Sequence, residues 1–166
     1  MILTMPKWTS YMATTTQPLF SPEQCQDIIN AGHAEKPQVA QVGMNSPEGA
    51  VDTKKRTTTI SWIPFTKLPQ MYQSVEQTLH NINTNHFGFQ DVKITEPAQF
   101  TEYPKGGFYD WHMDLDVSGV NSPPVRKISM TILLSDPSTF TGGQLEFMEK
   151  NKFPDLIQGQ AIFFAS

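Results

Sequence analysis

Cysteine is almost absent from this sequence, with Cys25 as the single example in 166 residues. One cysteine excludes an internal disulfide framework and a cysteine-rich zinc site. Such sparse use of cysteine fits a reducing compartment, and we expect the protein to be cytoplasmic.

Runs of positive charge and long apolar runs are missing as well. No stretch of five or more basic residues occurs and the formal net charge is −4, so nothing calls for nucleic acid or an anionic membrane as a partner. The opening stretch MILTMPKWTSYM lacks the apolar core of a signal peptide, and no later run approaches the length of a membrane span.

What the sequence does contain is typical of a soluble globular protein. Hydrophobic residues make up 38% and aromatic residues 11% of the chain, which is enough to build a core rather than remain disordered. The length of 166 residues suits one domain. No linker-like stretch divides it, so we expect a single domain over residues 1–166.

Two helices are predicted in the first half of the chain. Ser21 is a good N-cap, Pro22 suits the first helical position, and Gln24 completes a capping box, while Gly32 is expected to end this helix. A second helix from Leu68 to about residue 85 is indicated by apolar residues at helical spacing. These are Leu68, Met71, Val75, Leu79 and Ile82.

Short strands dominate the rest of the prediction. TTTISWI before the second helix is strand-like, and five more such runs follow residue 90, separated by proline and glycine. They are AQFTEY, FYDWHMDLD, KISMTILLS, GGQLEFME and GQAIFFAS. The pattern favours a mainly β (α+β) fold, an antiparallel sandwich or barrel with the two helices packed on one sheet.

The run FYDWHMDLD concentrates metal-binding chemistry. On a strand, His112 and Asp114 would point to the same side, because side chains alternate. An imidazole and a carboxylate are two of the three ligands in the facial triad that holds non-haem Fe(II) with open coordination positions. The triplet alone is a weak signal, and taken by itself it favours a surface strand with a polar face over a metal site.

The neighbouring runs strengthen the metal hypothesis. Gly106 and Gly107 permit a tight entry to the segment, and Tyr103 is placed to reach a ligand from the preceding strand. In KISMTILLS one set of alternating residues is continuously apolar and belongs to a core. The other set is Ser129, Thr131 and Leu133. This second face is small and partly polar, as the wall of a polar-ligand cavity should be.

Taken in order, these motifs resemble a known family. SPEQCQDII, KKRTTTISWIP, QFTEYPKGGFYDWHMDLD, RKISMTILLSDP, TGGQLEF and GQAIFFAS together resemble the prolyl 4-hydroxylase-like 2-oxoglutarate- and Fe(II)-dependent oxygenases, of the small bacterial and phage type. The resemblance runs from about Phe20 to the last residue. It implies a double-stranded β-helix, the jelly-roll fold.

The resemblance also assigns roles around an iron centre. It implies that His112 and Asp114 hold Fe(II) and that 2-oxoglutarate chelates the metal beside them. Tyr103 matches a tyrosine that touches the cosubstrate, and Thr131 and Leu133 match positions lining its pocket. The expected reaction consumes O₂ and 2-oxoglutarate, with ascorbate as a further implied cofactor.

On the substrate side, the resemblance points to three residues and to a class of substrate. Tyr109 matches an aromatic residue near the iron, and Arg56 and Trp62 lie in the motif that runs beside the substrate cleft. A solvated cation and a core aromatic remain equally good explanations for Arg56 and Trp62. The implied substrate is a prolyl residue in a peptide or protein.

The match breaks at the end of the sequence. The family has a second histidine beyond the strand matching GQAIFFAS, followed by an Arg or Lys that pairs with 2-oxoglutarate. No histidine follows His112, and the sequence ends at Ser166. We therefore expect a shortened form of a longer domain, lacking its last strands. Iron held by only two protein ligands is weakly bound, so one expectation is that this form is inactive.

Other residues are weaker candidates for metal ligands. His33, His80 and His86 are expected to be a helix-end, a solvated and a packed histidine, respectively. Asp116 shares the strand parity of Asp114 and could serve another metal, although ending the strand is the simpler role. Arg126 is expected to make a structural contact.

Three functions stay open at this point. The leading one is a dioxygenase acting on a prolyl residue, or on another side chain or a free amino acid. The second is a non-catalytic jelly-roll binding module, favoured by the missing ligand. The third is a cupin-like hydrolase or isomerase with another metal, which is weaker because cupin sites use more histidines close together.

Overall fold

The first helix forms where its capping signals predict. In the computed structural model, which describes residues 10–40, 54–115, 125–148 and 155–166, helix α1 spans Pro22–His33 and follows a short strand, β1, at Met12–Thr14. The Ser21 hydroxyl accepts the backbone N–H of Gln24, and the Gln24 side chain accepts the N–H of Ser21. This reciprocal capping box satisfies two backbone donors that a helix start otherwise leaves unpaired.

Removing this cap gives a first prediction. We expect Ser21→Ala to lower the free energy of unfolding by about 1 kcal/mol, the usual cost of losing an N-cap side chain. Urea unfolding followed by circular dichroism measures the change. A matched Ser74→Ala substitution inside the second helix should cost less, since Ser74 is not a cap residue. Equal losses would contradict the capping role.

The sequence predicted that Gly32 would end α1, and this prediction is wrong. The helix continues through His33 to a C-cap at Ala34. A Cβ on Gly32 would overlap the ring of Phe100, and its carbonyl accepts the Ser61 hydroxyl at 2.7 Å. Glycine is required here by the close approach of the helix to a sheet, a long-range contact that the local pattern does not reveal.

The remaining elements follow in a simple order. Strands β2 (Gln38–Val39) and β3 (Thr59–Ile63) precede helix α2 (Pro69–Ile82), which runs on into a π-helical turn at Asn83–Phe87. Three strands complete the described chain, β4 (Ala98–Glu102), β5 (Ile128–Ile132) and β6 (Ala161–Ala165). None of the described helices is both long and apolar enough to cross a membrane.

The strands form two antiparallel sheets. One has the order β1-β6-β5 and the other β2-β3-β4. In the first sheet Thr131 pairs with Ile162, and in the second Trp62 pairs with Gln99. Three of the five strand-like runs after residue 90 are thus strands, whereas residues 110–115 and 141–146 form no regular strand.

Helices pack on both sheets rather than on one. Tyr72 of α2 donates to the carbonyl of Ile63 in β3 and accepts the N–H of Ala98 in β4 at 2.7 Å. Further along the same helix, Leu79 packs with Phe163 of β6 in a second apolar cluster. The predicted apolar stripe of α2 is therefore confirmed, and it serves both sheets. Full burial of a side chain such as Phe163 contributes about 1.5–3 kcal/mol.

Candidate metal centre

The segment before His112 is fixed by a short ladder to residues 55–57. Thr57 donates its N–H to the Phe108 carbonyl at 2.9 Å, and Asp110 donates to the Lys55 carbonyl at 2.8 Å. Between them, Arg56 and Tyr109 form an antiparallel bridge. This pairing joins positions more than fifty residues apart and sets where the following turn begins.

The HxD segment turns instead of extending as a strand. The Asp110 carboxylate accepts the N–H of Trp111 at 2.8 Å, and the Asp110 carbonyl pairs with Nδ1 of His112 at 2.7 Å. Asp side chains compete in this way with strand hydrogen bonding. The strand predicted for FYDWHMDLD is therefore wrong for residues 110–115, and alternation is not what brings the two ligand candidates together.

His112 and Asp114 nevertheless lie side by side. Nε2 of His112 is 3.2 Å from Oδ1 of Asp114. The backbone carbonyl of Asp110 holds Nδ1, so Nδ1 carries the proton and Nε2 is left to bind a metal or a shared proton. An imidazole nitrogen and a carboxylate oxygen at this spacing fit Fe(II) as two protein ligands. Their role as ligands stays a prediction.

Electrostatics couple the two groups. Hydrogen bonding to Asp114 raises the pKa of His112, and burial opposes that rise. Hydrogen bonding to His112 lowers the pKa of Asp114, again against the effect of burial, and Ser129 adds to the lowering. The pair thus favours a proton held between the imidazole of His112 and the carboxylate of Asp114. A divalent cation can take the place of that proton.

The carboxyl side of the site is supported from two other elements. Buried Ser129 of β5 hydrogen bonds to the Asp114 side chain and shares a second hydrogen bond, 2.8 Å long, with the Ser166 hydroxyl. Arg126 donates to the Asp114 carbonyl at 3.1 Å and to the Glu96 carboxylate at 2.5 Å. The sequence pointed to Ser129 only as part of a small polar face, and nothing in it indicated Glu96.

An aromatic stack forms the other side of the site. The Tyr109 and His112 rings are nearly parallel, 13° apart, with centroids separated by 3.5 Å. The guanidinium carbon of Arg56 lies 4.3 Å from the centre of the Tyr109 ring. Arg56 is buried, and its Nε donates to the Thr58 hydroxyl at 2.7 Å. Of the residues predicted on the substrate side, Tyr109 therefore lies against the histidine, and Arg56 lies against Tyr109.

Tyr103 belongs to the same neighbourhood. Burial of its hydroxyl raises its pKa, and the phenol also interacts electrostatically with Arg56, Tyr109 and Asp114. It directly follows β4, and its side chain is half-exposed. A phenol placed beside the ligand pair suits the predicted contact with a carboxylate-bearing cosubstrate, which stays a prediction.

Thr131 and Leu133 share a strand face with Ser129. Side chains alternate along β5, so these three residues point away from the apolar cluster that holds Ile128 and Met130. Thr131 is exposed, Leu133 is half-buried, and pairing continues past β5 through the Leu133 N–H and the Gln160 carbonyl at 3.0 Å. Ser129 on this face hydrogen bonds to Asp114, and the place of Thr131 and Leu133 in a cosubstrate pocket stays a prediction.

Trp62 stands further from the ligand pair. It lies on β3 opposite Gln99, four residues along β4 from Tyr103, which is about 13 Å at the usual strand rise. Its side chain is 37% exposed. A substrate long enough to follow the sheet from Tyr103 would reach it, and its role in substrate binding stays a prediction.

No third ligand joins the pair in the part of the chain that the structure describes. No group of three or more His, Cys, Asp or Glu side chains able to hold a metal occurs there. His33 pairs with Glu102 at 2.8 Å, and His80 is exposed on α2. The described residues thus offer two candidate ligands for a metal, His112 and Asp114. Asp116 lies outside the described ranges, as do the residues that follow it, 117–124.

A family model matches the part of the chain that carries the ligand candidates. Residues 98–166, which carry Tyr103, Tyr109, His112, Asp114 and β5 to β6, match the model of the 2OG-Fe(II) oxygenase superfamily. No match was found among curated proteins.

A solved structure shares the fold. It is the viral collagen prolyl hydroxylase of Paramecium Bursaria Chlorella virus-1, crystallised with 2-oxoglutarate. The likeness covers 94% of this chain and 78% of that chain, at 18% identity and a TM-score of 0.70. Such low identity carries the fold alone, and it confirms the predicted mainly β, jelly-roll class. The resemblance is thereby confirmed: the chain shares the fold of that solved prolyl hydroxylase, and its residues 98–166 match the model of the 2OG-Fe(II) oxygenase superfamily.

Proposed function

We propose that the protein is a 2-oxoglutarate- and Fe(II)-dependent dioxygenase that hydroxylates a prolyl residue in a peptide or protein. The observation that carries the proposal is the pair of donors, Nε2 of His112 and Oδ1 of Asp114, 3.2 Å apart with Nδ1 already engaged. Fe(II), when bound with 2-oxoglutarate and O₂, supplies oxidative decarboxylation coupled to insertion of oxygen into a C–H bond.

The residues around the donor pair have separable tasks in this proposal. His112 and Asp114 hold the metal. Tyr103 hydrogen bonds to the cosubstrate, with Thr131 and Leu133 forming the wall beside it. The remaining aromatic and cationic groups, Arg56, Trp62 and Tyr109, contact the substrate.

The prolyl substrate is supported by the fold shared with the viral collagen prolyl hydroxylase. Two aromatic side chains, Trp62 at 37% exposure and Tyr103 at 53%, mark a sheet face along which an extended peptide can lie. Ascorbate as a reductant and a cytoplasmic location are further parts of the proposal. The latter rests on the single buried cysteine.

The test is Fe(II)-dependent turnover by the full chain. We expect succinate to form from 2-oxoglutarate when a proline-containing peptide is present, and the peptide to gain the mass of one oxygen atom on proline. His112→Ala should remove both signals because it removes a metal ligand. His80→Ala, at an exposed position on α2, is the matched control.

Each contrary result rejects a different part of the proposal. Turnover that survives His112→Ala would reject the assigned metal centre. Succinate formation with free proline or a lysyl peptide, and none with prolyl peptides, would keep the dioxygenase and replace its substrate.

A non-catalytic jelly-roll binding module is the second candidate. It is favoured by one observation, the lack of a third metal ligand among the described residues. Calorimetric titration with Fe(II) under anaerobic conditions separates the two functions. A stoichiometric site that disappears in His112→Ala supports the dioxygenase, and the absence of such a site supports the binding module.

A further inference from the structure

The Tyr109 ring contacts two other planar groups, one of which belongs to the ligand pair. The guanidinium carbon of Arg56 lies 4.3 Å from the centre of the Tyr109 ring, and the centroids of the Tyr109 and His112 rings are 3.5 Å apart. The near-parallel orientation of the two rings, 13° apart, shows that the imidazole plane follows the phenol plane. We call these residues, Arg56, Tyr109 and His112, the three-residue stack.

The far end of the stack is the most firmly held. Arg56 is 8% exposed, and its Nε donates to the Thr58 hydroxyl at 2.7 Å. Its backbone bridges to Tyr109, and next to that bridge the Thr57 N–H donates to the Phe108 carbonyl while the Phe108 N–H donates to the Thr57 hydroxyl. The guanidinium therefore has little freedom to move, and it limits how the Tyr109 ring can rotate.

The partners of Arg56 are unusual for a buried arginine. In the described part of the chain it contacts the Thr58 hydroxyl, the face of the Tyr109 ring and the Tyr109 hydroxyl, and no ion pair with a carboxylate is found. Burying a cation without a carboxylate is costly. A cation held over a ring recovers part of that cost and favours one orientation of the ring. Stacking thus explains why a planar guanidinium is placed here.

The ring of His112 is held in place by two constraints, a hydrogen bond and a stacking contact. The bond from Nδ1 to the Asp110 carbonyl fixes one point of the ring, and a ring held at one point can still swing its opposite edge. Contact with the Tyr109 face fixes the plane, so that Nε2 stays 3.2 Å from Oδ1 of Asp114. Outer partners of a ligating histidine commonly set ring orientation in metal sites.

We propose that Arg56 is a positioning residue for His112, acting through the ring of Tyr109. The proposal rests on the proposed function in that His112 is taken as the metal ligand. It goes beyond that function because the effect operates before any substrate is bound. A contact between Arg56 and the substrate would act only when substrate is present, so the two roles are separable.

Nuclear magnetic resonance of the metal-free protein tests the orientation directly. With His112 neutral, the ring current of Tyr109 should shift the His112 carbon-bound ring protons upfield. Tyr109→Phe should keep this shift and Tyr109→Leu should abolish it. Arg56→Met, which keeps the length and removes the planar cation, should reduce it. Arg56→Lys should also reduce it, because an ammonium lacks the flat stacking surface.

Metal affinity without substrate tests the consequence. We expect Arg56→Met to weaken Mn(II) or anaerobic Fe(II) binding about tenfold, within the range of about 10–100-fold found when outer-shell partners are removed. Lys67→Met is the matched loss of one positive charge, since Lys67 pairs with Glu35 at 3.5 Å away from the stack. It should leave affinity unchanged.

The outcomes separate this proposal from the proposed function. An unchanged ring-proton shift and unchanged affinity in Arg56→Met would overturn the positioning role. If the wild-type protein binds no metal, the proposed function fails, and the shift alone decides the positioning of His112. Should Arg56→Met fail to fold, the same comparison is made with Arg56→Lys, for which an unchanged shift overturns the proposal.

Discussion

Asp114→Asn is expected to abolish the rise in melting temperature that a divalent metal gives to the wild-type protein. The amide keeps the shape of the side chain and can still hydrogen bond to Ser129. It loses the negative charge, which is what makes a carboxylate oxygen a ligand for a divalent cation. Any effect is therefore due to the metal site rather than to lost packing.

The size of the effect follows from binding linkage. A metal at about 100 times its dissociation constant stabilises the folded state by about 2.7 kcal/mol. For a chain of 166 residues, that corresponds to a rise of about 5–10 °C in Tm. Thermal unfolding with and without Mn(II) and 2-oxoglutarate measures it. Asp114→Asn should reduce the rise to near zero.

Asp27→Asn is the control for this experiment. Asp27 is exposed on α1, so the same change of chemistry there should leave the metal-dependent rise intact. A full rise in Asp114→Asn would show that the metal binds elsewhere. A rise lost in both variants would show that general charge, and not this carboxylate, is responsible.

Gly159→Ala is expected to destabilise the fold strongly, although it adds only one methyl group. Gly159 has φ +80, and a Cβ there would overlap the carbonyl oxygen of Phe20 and lie 3.2 Å from Pro18. Its backbone also accepts the Leu19 N–H and donates to the Leu133 carbonyl, both at 2.7 Å. Gly159 links the segment just before α1 to the turn that precedes β6. Moving either segment to make room for a Cβ would break these hydrogen bonds.

The expected loss combines two costs. The left-handed backbone costs an alanine about 1–2 kcal/mol, and overlap in a packed region costs about 1–3 kcal/mol more. A total of about 2–5 kcal/mol would lower Tm by roughly 5–20 °C. Gly142→Ala separates the two costs, because Gly142 has φ +81 with no atom within 4 Å of a Cβ. Equal losses in the two variants would contradict the packing argument.

Local chemistry explains what could be predicted from the sequence. The capping box at Ser21 and Gln24 depends on four consecutive residues, and it formed as predicted. The apolar stripe of α2 and the alternation along β5 likewise repeat within a single element, and both were confirmed. The order of several such motifs, more than any one of them, carried the family resemblance.

The HxD segment shows where local pattern was misleading. Alternation along a strand predicted that His112 and Asp114 would point the same way, and they do lie together, but on a turn. The turn forms because the side chain and carbonyl of Asp110 take hydrogen bonds within the segment. The presence of Asp110 within the strand-like run was the signal in the sequence that could have predicted this turn.

By itself, then, the sequence determined the N-cap of α1, the apolar faces of α2 and β5, and which short stretch concentrates groups able to bind a metal. Each depends on residues close together in the chain, whose spacing and side-chain chemistry act independently of the tertiary structure. Only the tertiary structure decided that Arg56 stacks on Tyr109, that Ser129 supports Asp114 and that Gly32 must admit Phe100. These contacts join distant segments, and their partners are chosen by how sheets and helices pack.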